Sequence, residues 1–253
     1  MGTENESKLK KLLNQHQQGT VSLAKWLEHI GISHNLQKKY RKSGWLESIG
    51  SGAFKRPNEK VGWQGAIYAM QTQAKLPIHP GATTALSMQG LSHYMRAQET
   101  VFLFSPPTSQ LPKWFSSYTW GTSIQHVKTS MLPDKIGMVS SEQKNFSITI
   151  SSPERAMLEC LHLAPAKLDL IECYQIMEGL SNLRPKLVQE LLEKCTSVKT
   201  KRLFLFMATK AQHQWLDFID RKKIDLGKGD RSIIKGGAYN ATFHITIPKE
   251  LAS

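Results

Sequence analysis

One stretch restricts this chain more than any other. From Ile32 to Arg56 it reads ISHNLQKKYRKSGWLESIGSGAFKR, with six lysines and arginines set among apolar residues at helical spacing. At about 100° per residue, Ile32, Leu36 and Tyr40 fall within roughly 80° of one another and face inward. His34, Asn35, Gln37, Lys38, Arg41 and Lys42 take the opposite side. Ser33 can cap this helix with its hydroxyl, Gly31 suits the left-handed end of the preceding one, and Gly44 is the stop. Trp45, Ile49 and Phe54 favour strand, and Gly50-Ser51-Gly52 permits a tight hairpin turn. Upstream, Leu9, Leu12 and Leu13 mark one helix, and Leu23, Trp26, Leu27 and Ile30 a second. Helix, helix, glycine turn, helix, hairpin is the element order of a winged helix-turn-helix.

The outward side of the third helix carries the residue types that read DNA. Arginine pairs with guanine, asparagine and glutamine with adenine, and lysine with phosphate. A recognition helix contacts bases mainly through its N-terminal half. His34, Asn35, Gln37 and Lys38 are therefore the base-reading candidates, with Arg41 and Lys42 on phosphate and Ser33 also in the DNA-binding set. Ser51 at the wing tip and Lys55 and Arg56 after it complete the expected surface. The bland alternative is a solvated helix face beside a loop. Charge favours the first reading. The whole chain carries a net +13, a balance suited to a polyanionic partner. Residues 1–60 hold eleven lysines and arginines against five acidic residues, the densest positive block.

The polar proline-containing segment KRPNEK (Lys55–Lys60) predicts a boundary, giving a DNA-binding domain over 1–58 and a second domain over 61–253. In the second, helices are expected around Trp63–Met70, Ala82–Gln89, 167–180, 185–195 and 198–212. Strands are expected at TVFLF (100–104), SIQHV (123–127) and FSITI (146–150). Ser151 and Glu154 have capping-box spacing ahead of another helix. The tail from Arg231 reads as two strands, SIIK and TFHITI, around Gly236-Gly237. The fold class is thus α+β: an N-terminal winged helix-turn-helix, then a mixed α/β domain with several helices and a small sheet.

Candidate chemistry is sparse. Asp134, Glu142 and Lys144 match the letters of metal-dependent nucleases, which need those groups to converge on one cation. Gly227-Lys228-Gly229-Asp230 lacks phosphate-loop spacing and reads as a basic surface turn. The histidines form no HxxxH pair, and His93 and His162 read as partly buried structural residues or solvent-facing ones. Cys160, Cys173 and Cys195 have no zinc or CxxC spacing and read as buried thiols of a reducing compartment. Cys160 lies on an apolar helix face. Arg155 is placed to pair with a nearby carboxylate. No catalytic residue, metal or cofactor is expected. A second basic group, Lys199, Lys201 and Arg202 with Arg221, Lys222 and Lys223 (and Lys228, Arg231 and Lys235), reads as an additional surface for a partner or as a solvated face. The polar start, MGTENESKLKKLLNQ, and the lack of a long apolar run predict a cytoplasmic protein away from membranes.

Several stretches together resemble the AbiEi antitoxin family of type IV toxin–antitoxin (abortive-infection) systems. They are LAKWLEHIGISHNLQKKYRKSGWLESIGSGAFKRP, GWQGAIYAMQTQAKLPIHPGATTALSMQGLSHY, VFLFSPP, SSPERAMLECL and LRPKLVQELLEKCTSVKTKRLFLFMA. The resemblance implies a winged-helix domain that binds double-stranded DNA at its own promoter and represses it. It also implies a C-terminal domain that counters a nucleotidyltransferase-type toxin, without requiring a stable complex. By position the reading helix is Ser33 to Ser43 and the wing Trp45 to Arg56, and no catalytic residue carries over. Two other functions fit the residues: an orphan winged-helix transcription factor with a ligand-sensing C-terminal domain, and a metal-dependent nuclease.

Overall fold

The computed structural model describes residues 2–91 and 100–252, so His93 lies outside the described residues. The chain begins with α1 (Gly2–Gln15), β1 (Ser22–Leu23), α2 (Ala24–His29), α3 (His34–Lys42), β2 (Glu47–Gly50) and β3 (Ala53–Lys55). β3 lies in the middle of a three-stranded sheet, antiparallel to both neighbours, with Ser22 opposite Phe54 and Glu47 opposite Lys55. That topology is a winged helix. Its own core is Leu12, Leu27, Ile30, Ile32, Leu36, Tyr40, Leu46 and Phe54. Two glycines make the connections. Gly31 takes φ +91° between α2 and α3, and Gly52 takes φ +73° in the wing turn, backbone that side-chain-bearing residues rarely adopt. Trp45 precedes the wing strand and stays 41% exposed.

The winged helix is fastened to the rest of the chain. Val21, Ile49 and Ala53, on β1 and the wing strands or beside them, belong to the larger core. Within KRPNEK, Glu59 accepts from the His16 ring and from the Gly19 amide, both at 3.1 Å. α4 (Trp63–Tyr68) buries Ala66 and Ile67 and runs into a π-helical turn (Ala69–Gln73) that buries Met70. In that turn Gln73 bonds both Leu23 N and Val21 O at 2.8 Å, as an added strand would. Gly50 lies so close to Trp114 that a Cβ there would sit 2.7 Å from the tryptophan Cβ. The wing therefore rests on the short helix that carries Trp114.

The larger part continues with β4 (His79–Pro80), α5 (Ala82–Met88), β5 (Thr100–Ser105), α6 (Lys113–Ser116), β6 (Ser123–Lys128), β7 (Met138–Glu142) and β8 (Ser147–Ser151). β5 sits between β4, antiparallel to it, and β6, parallel to it, and β7 and β8 form a separate hairpin. Four helices come next: α7 (Pro153–Leu163), α8 (Leu170–Gly179), α9 (Pro185–Lys194) and α10 (Val198–Lys210). α7 is central. It packs on α5, α8, α9, α10 and β8, and is buried nearly all round. Its apolar positions Ala156, Met157, Cys160 and Leu161 are fully enclosed. Burial also raises the Cys160 thiol pKa well above its ordinary value, as expected of an inert core cysteine.

Two sequence readings change here. Ser152, not Ser151, is the N-cap of α7, and the Ser151–Glu154 capping box does not form. Ser151 ends β8 and donates its hydroxyl to Glu159 (2.7 Å), while Glu154 pairs with Arg184 (2.9 Å). The tail holds three short strands rather than two: β9 (Arg231–Ser232), β10 (Ala238–Asn240) and β11 (Ile245–Ile247), with β11 in the middle. Most of SIIK lies outside them, because β9 pairs parallel to β11 over two residues only.

Two buried carboxylates tie α7 to its surroundings. Glu159 is 1% exposed and accepts from His79 Nε2 (3.1 Å), Ala82 N (3.0 Å), Ser151 Oγ (2.7 Å) and Arg155 Nε (2.8 Å). Burial works to raise its pKa, but His79, Arg155 and Ser151 outweigh burial and hold it below the ordinary 4.5. Glu154 behaves likewise: burial opposes, and the Arg184 hydrogen bonds prevail. A folded-state pKa below the unfolded one contributes stability above the unfolded value and loses it as pH falls through the folded value. The protein should therefore lose stability progressively below pH 4.5. Urea midpoints measured down from neutral pH check this, and a flat acid limb would contradict it.

Candidate nucleic-acid interface

α3 forms because its capping and faces agree. Ser33 accepts from Leu36 N at 3.4 Å, and Leu36, Gln37 and Tyr40 are its buried residues. His34 and Asn35 are exposed on the first turn, and Lys38, Arg41 and Lys42 continue the same open side. Lys38, Arg41 and Lys42 line one wall of a shallow concavity whose other wall is Leu46, Glu47 and Ser48 at the root of the wing. Arg41 also lies over the Phe54 ring, 6.0 Å from its centroid, a cation–π contact that orients the guanidinium. Ser51 is exposed at the wing tip. Lys55 pairs with Glu47 (3.3 Å) and Arg56 with Glu59 (3.6 Å). The Lys55–Glu47 pair has one solvent-exposed member and is weak enough for a phosphate to displace, whereas Glu59 is also held by His16 and Gly19.

Gln37 is a correction. It is 1% exposed, and its Nε2 donates to Ala24 O and Ile32 O, both at 3.0 Å. On the wheel it lies about 60° past Tyr40, at the edge of the core face. There its amide ties α3 to the start of α2 and to the turn between the two helices. It is a structural clamp and is not available to a base. Gln37→Ala should cost about 1–3 kcal/mol of stability by removing two hydrogen bonds that join α3 to α2 and the turn between them. A shift of the urea midpoint measures it, and an unchanged midpoint would count against the clamp.

Sequence reasoning also missed Lys39. It is exposed on α3, although the wheel sets it about 20° from Ile32, at the edge of the core face rather than on the opposite side. Lys25 on α2 is exposed as well. The first helix of a helix-turn-helix crosses the DNA backbone, so this lysine is well placed for it.

The second basic group divides in two. Lys201 and Arg202 are 4% and 2% exposed, so they form no surface. Arg202 donates to the carbonyls of Leu226 (2.8 Å), Gly229 (2.7 Å), His244 (2.9 Å) and Gly227 (3.2 Å). Lys199 is half-buried and donates to His162 O (2.9 Å) and Ala164 O. Its pKa is lowered by burial. Arg221, Lys222 and Lys223 are exposed on a single short turn.

The nuclease letters do not converge. Asp134 lies in the loop before β7, whereas Glu142 ends that strand opposite Ser147, and Lys144 comes after it in the turn. Met138 to Glu142 alone spans about 13 Å of strand. Among the described residues no cluster of three or more His, Cys, Asp or Glu side chains is placed to hold a metal ion.

Comparison with known proteins agrees with this geometry. A family model described as the N-terminal domain of the AbiEi antitoxin transcriptional regulator matches residues 5–97. A second, described as transcriptional regulator, AbiEi antitoxin, type IV toxin–antitoxin system, matches residues 98–248. The chain belongs to the AbiEi antitoxin family. Among solved structures it is similar to the RV2827C protein from Mycobacterium tuberculosis, with a TM-score of 0.59 and 10% identity. The similarity covers 96% of this chain and 90% of that one, and at that identity it speaks to the fold. No curated protein matches the chain. Among the described residues of this AbiEi chain, no helix is long and apolar enough to cross a membrane.

Proposed function

We propose that this AbiEi-family regulator binds double-stranded DNA at its own promoter, represses it, and counters a nucleotidyltransferase-type toxin encoded beside it. The observation that carries the DNA-binding part is the exposed basic side of α3, set against a wing whose tip is free. α3 enters the major groove with His34, Asn35 and Lys38 at base edges, and with Arg41, Lys42, Ser51, Lys55 and Arg56 along the backbone. Ser33 uses its hydroxyl as the helix cap and meets DNA at the helix N-terminus, a favourable place for phosphate. The winged helix over 1–58 is the DNA-binding unit and 61–253 carries the antitoxin role, with no enzymatic step of its own. The antitoxin part rests on family membership. Its site of action is the cytoplasm.

Since Val21, Ile49 and Ala53 are buried in the larger core, point variants test this better than truncation. A reporter fused to the chain's own promoter should be repressed by the intact protein and released when the α3 lysines and Arg41 are replaced. The same variant, co-expressed with the neighbouring reading frame, should still relieve its toxicity. An unbound promoter, or a neighbour that is not toxic, would sink the corresponding half.

A further inference from the structure

A cavity of ≈ 330 Å³ lies between β4–β5, the β7–β8 hairpin, the start of α7 and the loop before β7. Arg155 lines it and is 4% exposed. The arginine is fixed on two sides. Its Nε donates to Glu159 (2.8 Å) and its Nη1 to the carbonyls of Pro133 and Ile136. Its Nη2 has no hydrogen-bond partner among the described residues. His79, 6% exposed, lines the same cavity. Its Nε2 is held by Glu159 (3.1 Å), and Nδ1 has no partner among the described residues. Nearby backbone keeps a conformation that side-chain-bearing residues avoid: Ala82, whose N–H also binds Glu159, has φ +48°.

Arg155 Nη2 opens on the cavity, where a carboxylate oxygen can accept a charge-assisted hydrogen bond from it. The charges around the cavity are balanced. Glu159 offsets Arg155, and Asp134 accompanies Lys135 on the wall. With no net positive charge on the lining, a dianion is opposed more strongly than a monoanion. Leu76, Ile78, Phe104 and Met138 supply an apolar remainder. We propose that this cavity binds a small monocarboxylate with an apolar body, its carboxylate on Arg155 Nη2. The site stands apart from the DNA-binding face and does not depend on that reading.

Isothermal titration calorimetry on the full chain tests it, with acetate, 4-methylpentanoate, leucine and inorganic phosphate as probes. 4-Methylpentanoate or leucine should bind at least about tenfold more tightly than acetate, as burial of a few methylene groups requires. Arg155→Gln should weaken that binding at least about tenfold, the loss of a charged hydrogen bond. Arg155 also serves packing, so Met138→Trp, which fills the cavity and leaves the arginine in place, provides a second variant. It should abolish binding. No binding by either larger carboxylate overturns the proposal, as does a preference for phosphate or for acetate, or undiminished binding to Met138→Trp.

Discussion

Replacing Lys38 and Arg41 together by alanine is expected to weaken binding to the chain's own promoter at least about tenfold, with the fold intact. Both side chains are exposed, so their removal opens no cavity and leaves no buried group unpaired. Each good contact contributes roughly 1–3 kcal/mol, and 1.4 kcal/mol is a factor of ten. If both also neutralise phosphate charge, two fewer counterions are released. The slope of log affinity against log salt should then become shallower by about 1.8. Gel shifts across a salt series measure affinity and slope, and a urea titration confirms folding. A folded double variant that binds as tightly as the original would show that this side of α3 does not face DNA.

Gln37→Ala, on the same helix and next to Lys38, should behave differently. That change should act on stability, because the amide is buried between α2 and α3. The contrast marks where periodicity is informative. Positions such as Ile32, Leu36 and Lys38 lie well inside one face of the helix, and the 3.6-residue repeat assigns them correctly. Gln37 lies at the edge of the core face, where partners elsewhere in the chain decide burial. Its acceptors are five and thirteen residues away, and no local pattern identifies them.

The same limit holds elsewhere in the chain. Caps and glycine turns are local chemistry, so Ser33, Gly31, Gly44 and Pro185 all stand where the sequence put them. Ser151 has capping-box spacing, yet its hydroxyl is drawn to Glu159, eight residues on and the centre of a four-donor site. That site gathers His79, Ala82, Ser151 and Arg155 from four different elements or their ends. Nothing in sequence spacing announces the cavity beside it. The joint between the two units is of the same kind. KRPNEK has the composition of a linker, but its Glu59 is bonded back to His16 and Gly19.

Arg202 is where a misleading local pattern hides the largest effect on stability. In sequence it belongs to a run, VKTKR, that looks like exposed charge. In the fold it anchors the tail, with three nitrogens donating to four carbonyls from Leu226 to His244. The guanidinium thereby joins the 226–229 loop to His244, whose carbonyl also accepts from Arg231 N (2.9 Å). Arg202→Ala should lower the unfolding free energy by about 3 kcal/mol, since the four hydrogen bonds of a buried guanidinium are lost at once. Arg202→Lys should recover little of it, because a single ammonium cannot reproduce the planar fork. Lys222→Ala, on the exposed turn, should stay within about 0.5 kcal/mol of the original. Chemical denaturation ranks the three, and hydrogen exchange should show the 226–247 segment losing protection in Arg202→Ala first. If that variant unfolds like the original and loses only DNA affinity, then Arg202 is a surface contact after all and the anchoring role fails.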